Sequence, residues 1–290
     1  MTVSSLAFPL LVTLAMAAIA TSAHRRLPPR LATRFVTIAL VLVVLAAVPT
    51  ALVVAVAFLA HAPLIGFGFK WCAQVIGLHG SVSPWVGVPI VGLIGAGTVR
   101  TFRLLRQHRE LRLDEAHPIH IAHSHKPYAV TLPGRAGQIV ISTAMVDLLD
   151  EGEKRIVVAH EQAHARYRHD RYLLTAELAA AALPPLRALA KRVSYSIERW
   201  ADEAAAAVCG DRQLVAITLG KVALQTNPPT VAGFSGLGVA SRMGALLAPP
   251  VPNPRRLQLF ALWSSLAVTA GFSVFQLHHL ERLLTALCPH

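Results

Sequence analysis

Charge is what this 290-residue chain has least of. Asp, Glu, Lys and Arg make up 14% of it, where an ordinary soluble domain carries about 25%. The deficit argues against a soluble domain and for a bilayer. Acids are scarcer than bases, 15 against 27, which leaves a formal charge of +12 and a pI near 10.6. Such a balance could suit nucleic acid. The arginines, however, gather beside uncharged runs, where anionic lipid attracts each by about 1 kcal/mol. No aromatic-studded basic motif of the RNA-recognition type is present, so no direct nucleic-acid binding is expected. Cysteine is nearly absent. Cys72, Cys209 and Cys288 stand far apart with no CxxC pair, which excludes a disulfide frame and a thiolate zinc site and leaves them as packing residues. Repeats and low-complexity tracts are lacking as well.

The missing charge is missing in blocks. Residues 1–23, 35–69, 71–99 and 257–277 carry none. A spanning helix needs about 20 apolar residues, so spans are expected near 3–23, 35–60, 82–100 and 257–277. The N-terminal run has its basic cluster (His24, Arg25, Arg26, Arg30, Arg34) after it rather than before it. That is the pattern of an uncleaved anchor with its N-terminus outside, not of a secretory signal. Loops rich in Lys and Arg stay inside. The 24–34 loop, the series Arg100, Arg103, Arg106, Arg109 and Arg112, and the pair Arg255 and Arg256 therefore all belong to the cytoplasm, while 61–81, with Lys70 alone, is external. The expected organisation is a three-span membrane region (1–100), a cytoplasmic domain (101–230), a Pro-rich linker (231–256) containing "APPVPNP", and a last span with a short tail (257–290).

Within the cytoplasmic segment, the arginines from 100 to 113 wind around a helix that continues the third span. "PIHIAHS" (118–124) and "YAVTLPGRAGQIVIS" (128–142) have strand character. Val130, Leu132, Ile139 and Ile141 alternate around a Pro133-Gly134 turn signal, so a small antiparallel sheet or hairpin is expected. His117, His120, His123 and His125 crowd this region. Strand geometry sends such side chains to both faces, so they read as surface histidines. A helix over 143–149 precedes a second one over about 151–169, which Asp150 and Glu153 open as a capping box.

That second helix contains "HEQAH" (160–164). Residues four apart share a helix face, so His160 and His164 can aim two imidazoles at one point, as tetrahedral zinc requires. Glu161 lies beside them as the general base of zinc-assisted hydrolysis, in which the metal lowers the pKa of water toward about 7 and the carboxylate takes the proton. Two ligands do not hold catalytic zinc; a third is needed. "YSIERWADEAAAAVCGD" (195–211) offers Glu198 as the third ligand. Asp202, one turn later, can accept a hydrogen bond from a ligand histidine and fix its tautomer. Between the motifs, 172–192 is apolar but contains Glu177, Pro184 and Pro185. A full crossing would carry Glu198 to the other side of the bilayer from His160, so this stretch is expected to be a helix broken at the prolines. Tyr167, Tyr195, His169 and Arg199 are candidates for stabilising the oxyanion or leaving group, and the sequence does not rank them. His169 reads as a solvated helix-end histidine.

HEQAH, Asp170 beyond it, and Glu198-Arg-Trp-Ala-Asp202 together resemble the HExxH…ExxAD pattern of membrane gluzincin peptidases. The lead-in over 128–164 is similar to their edge-strand and active-site-helix block. Two branches share the pattern: the CAAX prenyl endopeptidases with their heat-shock membrane protease relatives, and the BlaR/MecR-type signal-transducing peptidases. Three spans before the catalytic segment and one after it resemble the second branch more closely. The resemblance implies a mainly α integral membrane protein of about four transmembrane helices, with a cytoplasmic gluzincin-like α+β zinc peptidase domain. It implies Zn2+ on His160, His164 and Glu198, Glu161 as base, and Asp202 and Asp170 supporting the ligands. Its partners would be the lipid bilayer and a cytoplasmic protein substrate, a transcriptional repressor or the chain itself; a homo-oligomer is left open. Only about a dozen residues follow the last expected span (278–290), too few for a penicillin-sensor domain, so direct β-lactam sensing through one is not expected. Membrane-protein quality control, CAAX-type processing, or a zinc-holding receptor or scaffold without activity are the other readings. With the arginine-rich flanks inside, a reporter fused near Arg109 scores cytoplasmic; a periplasmic or extracellular score contradicts that orientation.

Overall fold

A computed structural model of the chain describes residues 15–21, 26–62, 66, 68–70, 82–110, 119–133, 138–226 and 234–285. Most of the expected first span, most of the 61–81 loop, Arg112, His117, Gly134, Cys72 and Cys288 lie outside the described residues. Helix α1 is Pro29–Leu59, started by a proline in its first turn, where a missing N–H does no harm. Helix α2 is Pro84–Glu110. Strands β1 (Ile119–Ala122), β2 (Ala129–Thr131) and β3 (Ile139–Ser142) follow, then helices α3 (Thr143–Leu148), α4 (Glu151–Tyr167) and α5 (His169–Ala182). A 3-10 turn at Pro184–Leu186 leads into α6 (Arg187–Cys209). After it come α7 (Arg212–Thr226), α8 (Phe234–Leu247) and α9 (Arg256–Thr285).

Two helices among the described residues, Pro29–Leu59 and Pro84–Arg109, are long and apolar enough to cross a membrane. They fall on the expected second and third spans. The described part of the first, 15–21, is helical. The expected fourth span, 257–277, lies within α9, and that stretch carries no charged residue.

Helix α6 organises the interior because its two halves face different partners. Leu189, Val193 and Ile197 of its first half are buried with Phe35, Val36, Leu40 and Val43 of α1, Ala176 and Ala179 of α5, and Leu266 of α9. Ala205 and Ala206 of its second half pack with Ile156 and Ala159 of α4, Val215 and Ala216 of α7, and Leu246 of α8. Small alanines let the α4 and α6 backbones come close, which short side chains projecting from both helices then exploit. Where α2 passes the end of α5, Gly97 is required by space: a Cβ there would sit 2.8 Å from the carbonyl oxygen of Ala182.

The sheet is mixed rather than purely antiparallel. β3 lies in the middle, antiparallel to β2 with Thr131 opposite Ile139, and parallel to β1 with Ile119 opposite Ile139. The β2–β3 pairing matches the expected hairpin, while the parallel β1 does not follow from alternation alone, which carries no sign of strand direction. Ile139 and Ile141 turn inward onto Met145 and Leu149. His120, His123 and His125 are exposed, as expected for edge residues. The proline break within 172–192 separates α5 from α6. Residues 231–256, expected as a linker, instead contain α8, which packs on α6 and α7. Its apolar Leu246 and Met243 supply the face that a solvated linker lacks.

Candidate metal centre

Helix α4 begins as its sequence dictates. The Asp150 carboxylate accepts the Glu153 N–H at 2.8 Å, and the Glu153 carboxylate accepts the Asp150 N–H at 2.9 Å. Lys221 of α7 donates to Glu153 at 2.6 Å and ties the two helices together at that end. Two turns further on, His160 and His164 point the same way, with their Nε2 atoms 3.2 Å apart. Glu198 of α6 meets both: Oε2 lies 3.6 Å from His160 Nε2, and Oε1 lies 3.7 Å from His164 Nε2. Zinc with bonds of about 2.0–2.2 Å holds tetrahedral ligand atoms about 3.3–3.6 Å apart. The three groups, whose ligand atoms lie within 4.8 Å of one another, therefore fit a zinc ion.

The other side of each histidine is also engaged. His160 Nδ1 lies 3.1 Å from Asp202 Oδ1, and His164 Nδ1 lies 3.0 Å from His169 Nδ1. Asp170, by contrast, pairs with Arg168 at 3.3 Å in the first turn of α5. It borders the cleft over the histidines but is bonded to neither of them. His169 is fully buried, not solvated: the left-handed Arg168 (φ 54°, ψ 48°) turns the chain between α4 and α5 and folds the ring inward.

Two residues at the centre, Thr131 and Arg242, and one that holds α8 beside it, Arg212, were not picked out by the sequence. Thr131 on β2 donates to the Glu161 carboxylate at 2.7 Å and lies 2.9 Å from the Glu161 carbonyl oxygen. Arg242 on α8 binds Asp202 through two nitrogens, at 2.7 and 2.8 Å, and Glu198 through a third at 2.9 Å. Arg212 pins α8 in place by pairing with Glu203 and donating to the carbonyls of Ala245 and Leu246 at 3.0 and 2.9 Å. A cation at a helix C-terminus satisfies its free carbonyls. The one available signal for Arg242 was a lone cation in the apolar run "VASRMGALL", opposite two acids in need of a partner. Among the oxyanion candidates, Tyr195 donates to or accepts from Ser241 at 2.7 Å, and Tyr167 is stacked on Trp200.

The electrostatics follow from this wiring. Burial alone would lower the His160 pKa, but its bonds to Asp202 and Glu198 and their charges prevail and raise it to about 10. His164 is lowered by burial and by the neighbouring His160. Burial would raise Glu198 and Asp202. For Glu198, the His160 bond and the Arg242 charge overcome it and hold the carboxyl below its usual range; for Asp202, the Arg242 and His160 bonds do the same.

Two imidazoles and a carboxylate converging on one point, with a second carboxylate beside them, define a metal-dependent hydrolase centre. The model of Peptidase family M48 matches residues 103–264, more than half of the 290 residues, and the chain belongs to that family. Membership makes it a zinc metallopeptidase. The matched stretch contains HEQAH, Glu198, Asp202 and Arg242. No curated protein and no solved structure matches the chain.

With its pKa near 10, His160 holds a proton at neutral pH that zinc must displace. Zinc affinity, measured by competition with a chelator, should therefore rise about tenfold per unit between about pH 6 and 8. An affinity that does not change with pH contradicts this wiring.

Proposed function

We propose that the chain is a membrane-anchored zinc endopeptidase that cuts a cytoplasmic regulatory protein, a transcriptional repressor or the chain itself, in the manner of the BlaR/MecR-type peptidases. The observation that carries the reading is the seat of Glu161. Its carboxylate is buried, held by Thr131, and stands beside the two ligand histidines. A zinc site kept only for structure needs no oriented base, which counts against a scaffold role.

Zinc held by His160, His164 and Glu198 would acidify water and polarise the scissile carbonyl. Glu161 takes a proton from the attacking water and delivers it to the leaving amine. Asp202 accepts from His160 and keeps its Nε2 directed at the metal position. Arg242 offsets the charge of both carboxylates.

Two clefts flank these residues. One, of about 310 Å³, is bordered by Ala129 to Thr131 of β2, the following Leu132, Arg168, Asp170 and Leu173. The other, of about 250 Å³, is lined by Met145, Ile156, Val157, Leu219 and Val222. β2 is an edge strand of its sheet, and an extended peptide can add to such an edge by main-chain hydrogen bonds. A cleft on each side of the base suits a chain that continues in both directions, hence an endopeptidase.

Anchoring is supported by α1 and α2 and by the exposed Trp85, Val88 and Phe102 of α2. The side is supported by the arginines. Arg30 and Arg34, at the start of α1, each hold their guanidinium carbon 5.9 Å from the centre of the Trp200 ring on the ligand-bearing helix. The catalytic residues thus lie at the arginine-rich end of α1, the end expected in the cytoplasm. The Glu161→Gln protein should keep its zinc and lose about 10²–10⁴-fold in cleavage. Comparative proteomics of wild-type and variant cells would show the uncut substrate accumulating; undiminished cleavage by a zinc-loaded variant removes the base assignment.

A further inference from the structure

His169 is a buried imidazole whose one side-chain hydrogen-bond partner among the described residues is a metal-ligand candidate. On an uninterrupted helix, residues 164 and 169 would point about 140° apart. The left-handed Arg168 breaks the helix between them, and the two Nδ1 atoms meet at 3.0 Å. The rings stand edge to face, 4.8 Å between centroids at 85°. Behind His169 lie Trp200 at 4.8 Å and Tyr167 at 5.9 Å, themselves stacked at 4.7 Å. The far nitrogen, Nε2, is buried and has no hydrogen-bond partner among the described residues.

That orphan nitrogen decides what the residue is for. A buried polar atom without a partner is unfavourable and calls for a reason. If His169 only filled space between Trp200 and His164, an apolar ring would do so without leaving a nitrogen bare. What an apolar ring cannot do is accept a hydrogen bond at the Nδ1 position. With His164 Nε2 turned toward His160 and Glu198, its Nδ1 must carry the hydrogen, and the atom facing it is His169 Nδ1.

We propose that His169 is a positioning residue for the metal centre: its Nδ1 accepts the Nδ1–H of His164 and so fixes the tautomer and the aim of that ligand. The inference rests on the reading of His160, His164 and Glu198 as zinc ligands. The two ligand histidines are then held by unlike acceptors, a carboxylate for His160 and a neutral imidazole for His164. Proton placement is complete: His164 carries its hydrogen on Nδ1, and His169 carries its own on the bare Nε2.

The test uses the full chain in detergent micelles or nanodiscs, with the zinc dissociation constant read by chelator competition and folding checked by thermal melting. His169→Phe keeps the aromatic wall and removes the acceptor. His169→Asn removes the wall and places a side-chain oxygen where Nδ1 was. Zinc should be held about 10–100-fold more weakly by the Phe variant, and the Asn variant should bind closer to wild type although it melts at a lower temperature. A packing role gives the reverse order. Phe binding as tightly as wild type, or Asn binding more weakly than Phe, overturns the proposal while wild-type zinc binding leaves the peptidase reading standing. A wild-type protein that binds no zinc overturns both.

Discussion

Two carboxylates one turn apart on an alanine-rich helix cannot stand in a protein interior unless cations meet them. Removing one partner of a buried ion pair costs about 3–5 kcal/mol, because the other charge is left without compensation. Asp202 is almost wholly buried, and Glu198 is partly so. The architecture around them is arranged to supply positive charge from two directions. α4 brings His160 from one side, and α8 brings Arg242 from the other. The remaining face of Glu198 turns to the two Nε2 atoms, where a bound zinc ion would complete the neutralisation. The placing of α8 by Arg212, and the tie from Lys221 to the start of α4, read as consequences of that single requirement.

The same helix joins the centre to the apolar part of the molecule. The first half of α6 is packed against α1, and its second half against α4, α7 and α8. Trp200 lies near the middle, with Arg30 and Arg34 of α1 against its ring and His169 and Tyr167 also in contact. The aromatic wall behind His164 is thus in direct contact with the start of α1.

Local chemistry was legible in the sequence, and long-range pairing was not. The capping box at Asp150 and Glu153, the one-turn spacing of His160 and His164, and the break at Pro184 all depend on neighbours within a few residues. The structure has each of them. Glu198 was found because two acids in an alanine run are conspicuous. Arg242 was missed because it lies forty residues beyond Asp202, within a stretch whose prolines suggested a linker. Thr131 was seen only as part of a strand; that its hydroxyl faces Glu161 depends on how the sheet docks on α4. His169 was misread because helix-end histidines are usually solvated, and nothing in the local pattern announces the left-handed turn at Arg168.

The central claim is that His160, His164 and Glu198 bind one zinc ion. X-ray absorption at the zinc edge, recorded on the purified full chain, tests it most directly. The expected spectrum has two imidazole nitrogens at about 2.0–2.1 Å, oxygen at about 2.0–2.2 Å and no sulfur shell, with the imidazole signal lost in a His160→Ala/His164→Ala protein. A sulfur shell near about 2.3 Å, or an unchanged spectrum in that double variant, would contradict it.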